Sequence, residues 1–158
     1  MLDARTLKAI EPTPGEIQTP KPSDYPGYPG RTLTTSYVCR LARYCVATVF
    51  DCDPLLFRNP TRGSRRIALG MQLCVHLAHI VAGRRHDEVA ECFERNRSTA
   101  SHNFEVMENL RDVAAFDLFL EVLERRFEHL LRFADSRPRE QWGDALASMA
   151  QAVKAGQL

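Results

Sequence analysis

The sequence has no apolar run near the roughly 18 residues that a membrane span requires, which argues against a transmembrane helix and a membrane partner. Its five cysteines, Cys39, Cys45, Cys52, Cys74 and Cys92, include no C-x-x-C pair. That odd, scattered set speaks against a disulfide framework or a zinc ribbon, so they read as reduced thiols and no metal is expected. There is no G-x-x-x-x-G-K-S/T loop, so no nucleotide is expected as cofactor or partner. From Thr32 onward no alternating apolar and polar run suggests a strand. The opening residues, Met1-Leu2-Asp3-Ala4-Arg5-Thr6, lack the basic-then-apolar order of a secretory signal, which makes the cytoplasm the expected compartment. Lysine is scarce, because 18 of the 21 basic residues are arginine, the side chain whose planar fork suits phosphates and guanine edges.

What is present fits one domain with tails: 158 residues, 44% of them hydrophobic and 26% charged, which excludes a wholly disordered or collagen-like chain. The net charge of +1 conceals an uneven distribution. Residues 58–97 carry eight Arg against four acids, whereas residues 98–135 carry four Arg against eight acids. A basic middle followed by an acidic segment is the footprint of an anionic partner on one side only.

Residues 1–31 hold six prolines, at 12, 14, 20, 22, 26 and 29, with Gly15, Gly27 and Gly30 among them, and read as a disordered Pro/Gly-rich arm. The remainder reads as all-α, a helix bundle. A first helix is expected over 34–50, capped by Thr34 or Thr35, with Val38, Leu41, Ala42, Cys45, Val46 and Val49 on one stripe. Asp53-Pro54 and Asn59-Pro60 break the chain after it. A second helix over 64–82 is expected to bury Ile67, Leu69, Met71, Leu73, Cys74, Leu77, Ala78, Ile80 and Val81 and to stop at Gly83. A short helix over 87–93, a break at Glu94-Arg95 and a helix over 97–112 follow. A long helix over 116–133 carries Phe116, Phe119, Leu120, Leu123, Phe127, Leu130 and Leu131 and ends at Ser136-Arg137-Pro138. A last segment, 139–155, places Trp142, Ala145, Leu146, Met149 and Val153 on a stripe. Residues 32–113 form the expected binding domain and 114–158 a helical extension.

A short helix, a tight break and a second helix in this order make a candidate helix-turn-helix, whose second helix offers its first turn to the DNA major groove. Asn96 is suited to cap that helix with its side chain. Ala100, Phe104, Met107 and the stem of Arg111 fall on the buried stripe, while Ser98, Ser101, His102, Glu105 and Asn109 face away. The outer face therefore starts cationic and donor-rich, with Arg97, Ser98, Ser101 and His102, and turns acidic at Glu105 and Glu108. The helix dipole adds attraction for a phosphate at its start. Arg97 suits a bidentate guanine contact, and Thr99 a thymine methyl or a phosphate. The bland alternative is a solvated turn.

The run Phe93-Glu94-Arg95-Asn96-Arg97-Ser98-Thr99-Ala100 resembles the F-G-R-D-x-S/T-T-V signature of the C-terminal DNA-binding domain (domain IV) of the bacterial replication initiator DnaA. Arg62-Gly63-Ser64-Arg65-Arg66-Ile67-Ala68-Leu69-Gly70-Met71-Gln72-Leu73 resembles the R-x-x-R-x-I-A-M-x-L helix of that domain, and Glu88-Val89-Ala90-Glu91-Cys92-Phe93 its E-I-G-x-x-F helix. The resemblance covers about residues 33–112. It implies that Asn96, Arg97, Ser98 and Thr99 read bases and adjacent phosphates, and that Arg62, Arg65 and Arg66 serve the minor groove and backbone. Charge and position add Arg84, Arg85 and Arg95 as further phosphate contacts. Asn96 stands where the family has Asp, and Glu94 where it has Gly, so the target site is expected to differ from the initiator's own. The initiator's ATPase domain has no counterpart here.

His76 and His79 near Cys74 and a Cys92–His86 pair lack a third ligand or an orienting carboxylate, and partly exposed histidines on a packed helix account for them better. Glu121, Glu124 and Glu128 interleave with Arg125, Arg126 and Arg132 as a salt-bridged face. The expectation is a non-enzymatic, stand-alone, nucleoid-associated protein that binds double-stranded DNA in transcriptional regulation or replication initiation control. The alternative is a protein–protein interaction module using the acidic 116–133 helix and the Trp142 stripe.

Overall fold

The computed structural model describes residues 29–58 and 64–141, together with 143, 144, 147, 148, 151 and 155. The residues 1–28, Asn59-Pro60, Arg62 and the Trp142, Ala145, Leu146, Met149 and Val153 stripe lie outside the described residues. Five α-helices pack together, α1 (Thr35–Phe50), α2 (Arg65–His76), α3 (His86–Cys92), α4 (Arg97–Arg111) and α5 (Ala114–Asp135), and no strand occurs among the described residues. The all-α class read from the sequence is the observed one. Among the described residues no helix is long and apolar enough to cross a membrane.

Helix α1 starts where Thr34 turns its hydroxyl back to accept from the Tyr37 amide at 3.2 Å, and ends at Asp51 in the left-handed region, φ 47°. Tyr37, Val38, Cys39, Leu41, Ala42, Cys45, Val46, Ala47 and Phe50 are all buried. A helix covered on so many sides is the centre of the bundle, with α2, α3 and α5 around it. Val49, expected on the buried stripe, is instead 40% exposed. In that last turn Phe50 takes the inward place, edge-on to Phe57 with ring centroids 6.0 Å apart.

Asp53 caps the 3-10 turn Pro54–Phe57 by accepting from the Leu55 amide at 2.8 Å, and the turn delivers Phe57 to the core. Helix α2 opens on Ser64, whose hydroxyl accepts from the Ile67 amide at 3.3 Å, and runs into a π-helical turn, Leu77–Val81. The wider turn changes the angular step between residues. Ile80, expected in the core, consequently lies 44% exposed while Leu77 and Ala78 stay fully buried. The helix stops, as the sequence anticipates, at Gly83 with φ 61°.

Helix α5 lays Leu120, Leu123, Phe127 and Leu131 into the core against α1 and α4. A polar network joins three helices at its side. His76 Nε2 of α2 lies 2.6 Å from Glu124 Oε1 of α5, and Arg111 of α4 reaches the same oxygen and also Asp117 at 2.9 Å. His76 is 1% exposed, so the expectation of a partly exposed histidine there is corrected: its Nε2 is met inside the protein by Glu124, while its Nδ1 is buried without a partner among the described residues.

Candidate nucleic-acid interface

The segment from α3 to α4 is built by its turn. Phe93 is fully buried, and beyond it the Glu94 amide donates to the Glu91 carbonyl at 3.0 Å and the Arg95 amide to the Ala90 carbonyl at 2.8 Å. This pair of bonds closes a Schellman motif, which requires a left-handed residue between them. That residue is Glu94, at φ 52°. A turn of this kind redirects the chain sharply, and α4 begins within three residues.

Asn96 occupies the cap position of α4 with extended dihedrals, φ −71° and ψ 149°, and its carbonyl receives the Thr99 and Ala100 amides at 3.0 and 3.1 Å. Its side chain, however, makes no cap bond, which corrects the expected role. The carbonyl alone holds the first turn, so no cap side chain shields the leading amides from solvent or an anion. Along α4, Ala100 and Met107 face the core as expected, with Phe104 half-buried. Asn103 is buried as well, a position that a purely apolar reading of the stripe passes over.

The expected contact residues divide into groups. Arg65, Asn96, Arg97, Ser98 and His102 are exposed, and Thr99 is half-buried. His102 has Glu105 3.9 Å away on the next turn. Ser101, expected to face outward, is half-buried against α3, with its Oγ 3.4 Å from His86 Nδ1. Arg66 donates to the Phe50 carbonyl at the end of α1 and stands 5.7 Å over the Phe50 ring, which occupies its guanidinium with the fold. Arg85 pairs in a fork with Asp87, at 3.2 and 3.0 Å. Arg95 is half-buried, and its Nε has no partner among the described residues. Arg62 lies outside the described residues.

Arg84 is not a phosphate contact. It is 6% exposed, and its guanidinium donates to the Gly30 carbonyl at 2.5 Å, fastening the segment before α1 to the body of the fold. Adjacent arginines thus have opposite fates, because Gly83 reverses the chain just before them.

Behind the first turn of α4 lies a cluster of rings that the sequence does not reveal. His79 of the π turn, His86 of α3 and Phe104 of α4 meet with centroids 3.9–4.4 Å apart. His79 Nδ1 is 2.6 Å from the Arg84 carbonyl, which can only accept, so that nitrogen carries the proton. His79 Nε2 must then accept, 2.7 Å away, from His86 Nε2–H, and His86 Nδ1 in turn faces the Ser101 hydroxyl. Both rings are neutral in this chain of bonds. Burial lowers the pKa of His79 from 6.5 to about 4, and burial followed by the charge of Arg97 lowers that of His86.

The thiols and histidines weighed for chemistry are arranged differently. Burial raises Cys45 to about 12 and also pushes Cys74 up. Cys92 shares a hydrogen bond with Cys39, which holds the Cys92 thiol below its ordinary value, while His86 is engaged with His79 and Ser101. Among the described residues no group of three or more His, Cys, Asp or Glu side chains could hold a metal ion. No protein-family model, no curated protein and no solved structure matches the chain.

Proposed function

We propose that the chain is a sequence-specific DNA-binding protein that reads a short duplex site with the first turn of α4 as a helix-turn-helix. Its role would lie in transcriptional regulation or in control of replication initiation, in the cytoplasm at the nucleoid. The observation that carries this reading is the α3–α4 junction. A left-handed residue at 94 stands where the resembled DnaA motif has glycine, and it is followed by an exposed Arg97 and Ser98 at a helix start without a side-chain cap. A left-handed position favours glycine on steric grounds, so the likeness extends from residue letters to a backbone requirement. Uncapped amides and the positive end of a 15-residue helix attract a phosphate, and a guanidinium beside them suits a guanine edge. Arg65 is an exposed cation available for the backbone. Arg66 and Arg85 would first have to leave Phe50 and Asp87.

The test is selection from a random duplex library at near-physiological salt, with wild-type protein and Arg97→Ala in parallel. Enrichment of a motif that the variant loses is the expected result. Absence of any enriched motif, with duplex binding absent or weak and non-specific, overturns it. The alternative, a protein interaction module, draws on α5, where Leu118, Val122 and Phe133 are 63%, 57% and 51% exposed. In that case a duplex would not bind, and Leu118→Glu with Val122→Glu would abolish a salt-resistant protein association.

A further inference from the structure

A cavity of about 480 Å³ opens between α1, the 3-10 turn and the end of α3. Three guanidiniums line it, from Arg40 and Arg43 on α1 and from Arg58 after the 3-10 turn, beside the Tyr44 side chain, with Glu91 and Glu94 also on its wall. Like charges gathered in one concavity repel, and proteins ordinarily relieve this with carboxylates. Here none of the three arginines has an ion-pair partner among the described residues, although two glutamates share the wall. Arg43 is half-buried, with its guanidinium 5.8 Å over the Phe93 ring. Burial draws its pKa below the ordinary value, and the charges of Arg58 and Arg40 push the same way.

Unpaired guanidiniums gathered around a half-buried one suit an oxyanion, since each fork can give two parallel N–H bonds to phosphate oxygens. The volume lies within the range of small-molecule pockets and exceeds what a lone ion needs. The two carboxylates on the wall accept hydrogen bonds and repel further negative charge, which favours a ligand whose remainder carries hydroxyl donors. We propose that this cavity binds a small polyol phosphate, with Arg40, Arg43 and Arg58 holding the phosphate and Glu91 and Glu94 receiving hydroxyl groups. The site is independent of the duplex-reading turn in its ligand, and it abuts that turn through Glu94.

Thermal unfolding of the full chain with ribose 5-phosphate, inorganic phosphate or ribose tests it, in wild type and in Arg40→Gln and Arg58→Gln, both at exposed positions. Ribose 5-phosphate should raise the wild-type Tm by about 3–6 °C at ten times its Kd. Inorganic phosphate should act more weakly, ribose not at all, and both variants should lose the shift while keeping the Tm of the free protein and the wild-type affinity for duplex. No shift in wild type, or a shift that survives both substitutions, overturns the site. So does a loss of duplex binding in both variants with no ribose 5-phosphate response, which would make these arginines backbone contacts. A ribose 5-phosphate shift in a protein that binds no duplex supports the pocket and removes the DNA reading instead.

Discussion

His79 and His86 meet nitrogen to nitrogen, Nε2 to Nε2 at 2.7 Å, with one proton between them. The Arg84 carbonyl fixes the direction of that bond. A second proton on His79 would set two N–H groups against each other, so the folded state resists protonation there. His76 of α2, Arg97 of α4 and Asp87 of α3 are the other titratable or charged groups beside the pair. Because the folded pKa of His79 is depressed to about 4 from 6.5, the unfolded chain binds more protons between those values. The contribution is fully present above pH 6.5 and is lost as pH falls toward 4. Denaturant midpoints between pH 7.5 and 4.5 should therefore fall with pH in the wild type. In His79→Gln the slope between pH 6.5 and 5 should be shallower, and an unchanged slope would remove this assignment.

Glu94 holds a left-handed conformation that a side chain disfavours, at φ 52°. Glu94→Gly removes the clash at the cost of a more flexible unfolded chain, and the balance should stabilise the protein by about 0.5–1 kcal/mol. Chemical denaturation reads this directly. A neutral or destabilising result would mean that the Glu94 side chain makes a compensating contribution in the cavity beside it.

Gly70 presents the opposite situation. A Cβ there would stand 2.2 Å from Cε1 of Phe57, whose ring is fully buried against the helix. Gly70→Ala gains about 1 kcal/mol of helix propensity but forces that ring aside, and overpacking of this kind costs about 1–3 kcal/mol. Net destabilisation is expected, and adding Phe57→Leu should recover part of it. Additive losses in the double variant would show that the two residues do not compete for one space.

The cap positions separate what local sequence encodes from what it does not. Thr34 accepts a bond from the Tyr37 amide, whereas Asn96 occupies an equivalent backbone position without a side-chain bond. Thr34→Ala should cost about 1 kcal/mol and Asn96→Ala only a few tenths, measured by thermal unfolding without DNA. Equal losses would restore a side-chain cap to Asn96.

This contrast marks how far the sequence is legible. The helix at 34–50 and the stop at Gly83 follow from a cap and a glycine, which act within a few residues, and the structure agrees with both, whereas the break at 94–95 rests on a left-handed Glu94 and an Asn96 whose side chain makes no cap bond. Ile80 is misplaced by the sequence pattern because a π turn alters the period on which a helical stripe is read. Arg84 and Arg85 are indistinguishable as letters, and only the fold around Gly30 buries one of them. The His79, His86 and Phe104 cluster draws on three separate elements, so no spacing rule reaches it. Likewise Arg40, Arg43 and Arg58 read as scattered charge until the 3-10 turn brings Arg58 to the same cavity.

The exposed arginines Arg97 and Arg65 should respond differently to substitution if α4 reads bases. Arg97→Ala, which removes a bidentate hydrogen-bonding fork from a base edge, should cost about 1–3 kcal/mol on the selected site and little on random duplex, narrowing the gap between them. Arg65→Ala, which removes a cation from beside the phosphate backbone, should weaken both duplexes alike. It should also reduce the dependence of log K on log salt by about one unit, since one fewer counterion is released. Fluorescence anisotropy at several salt concentrations, on the selected and a scrambled duplex, distinguishes the two. Because Arg97 also depresses His86, the Arg97→Ala variant should show a raised His86 pKa, observable by NMR titration without DNA. A raised His86 pKa together with unchanged base preference would keep Arg97 beside the ring cluster at the start of α4 while denying it the role of reading sequence.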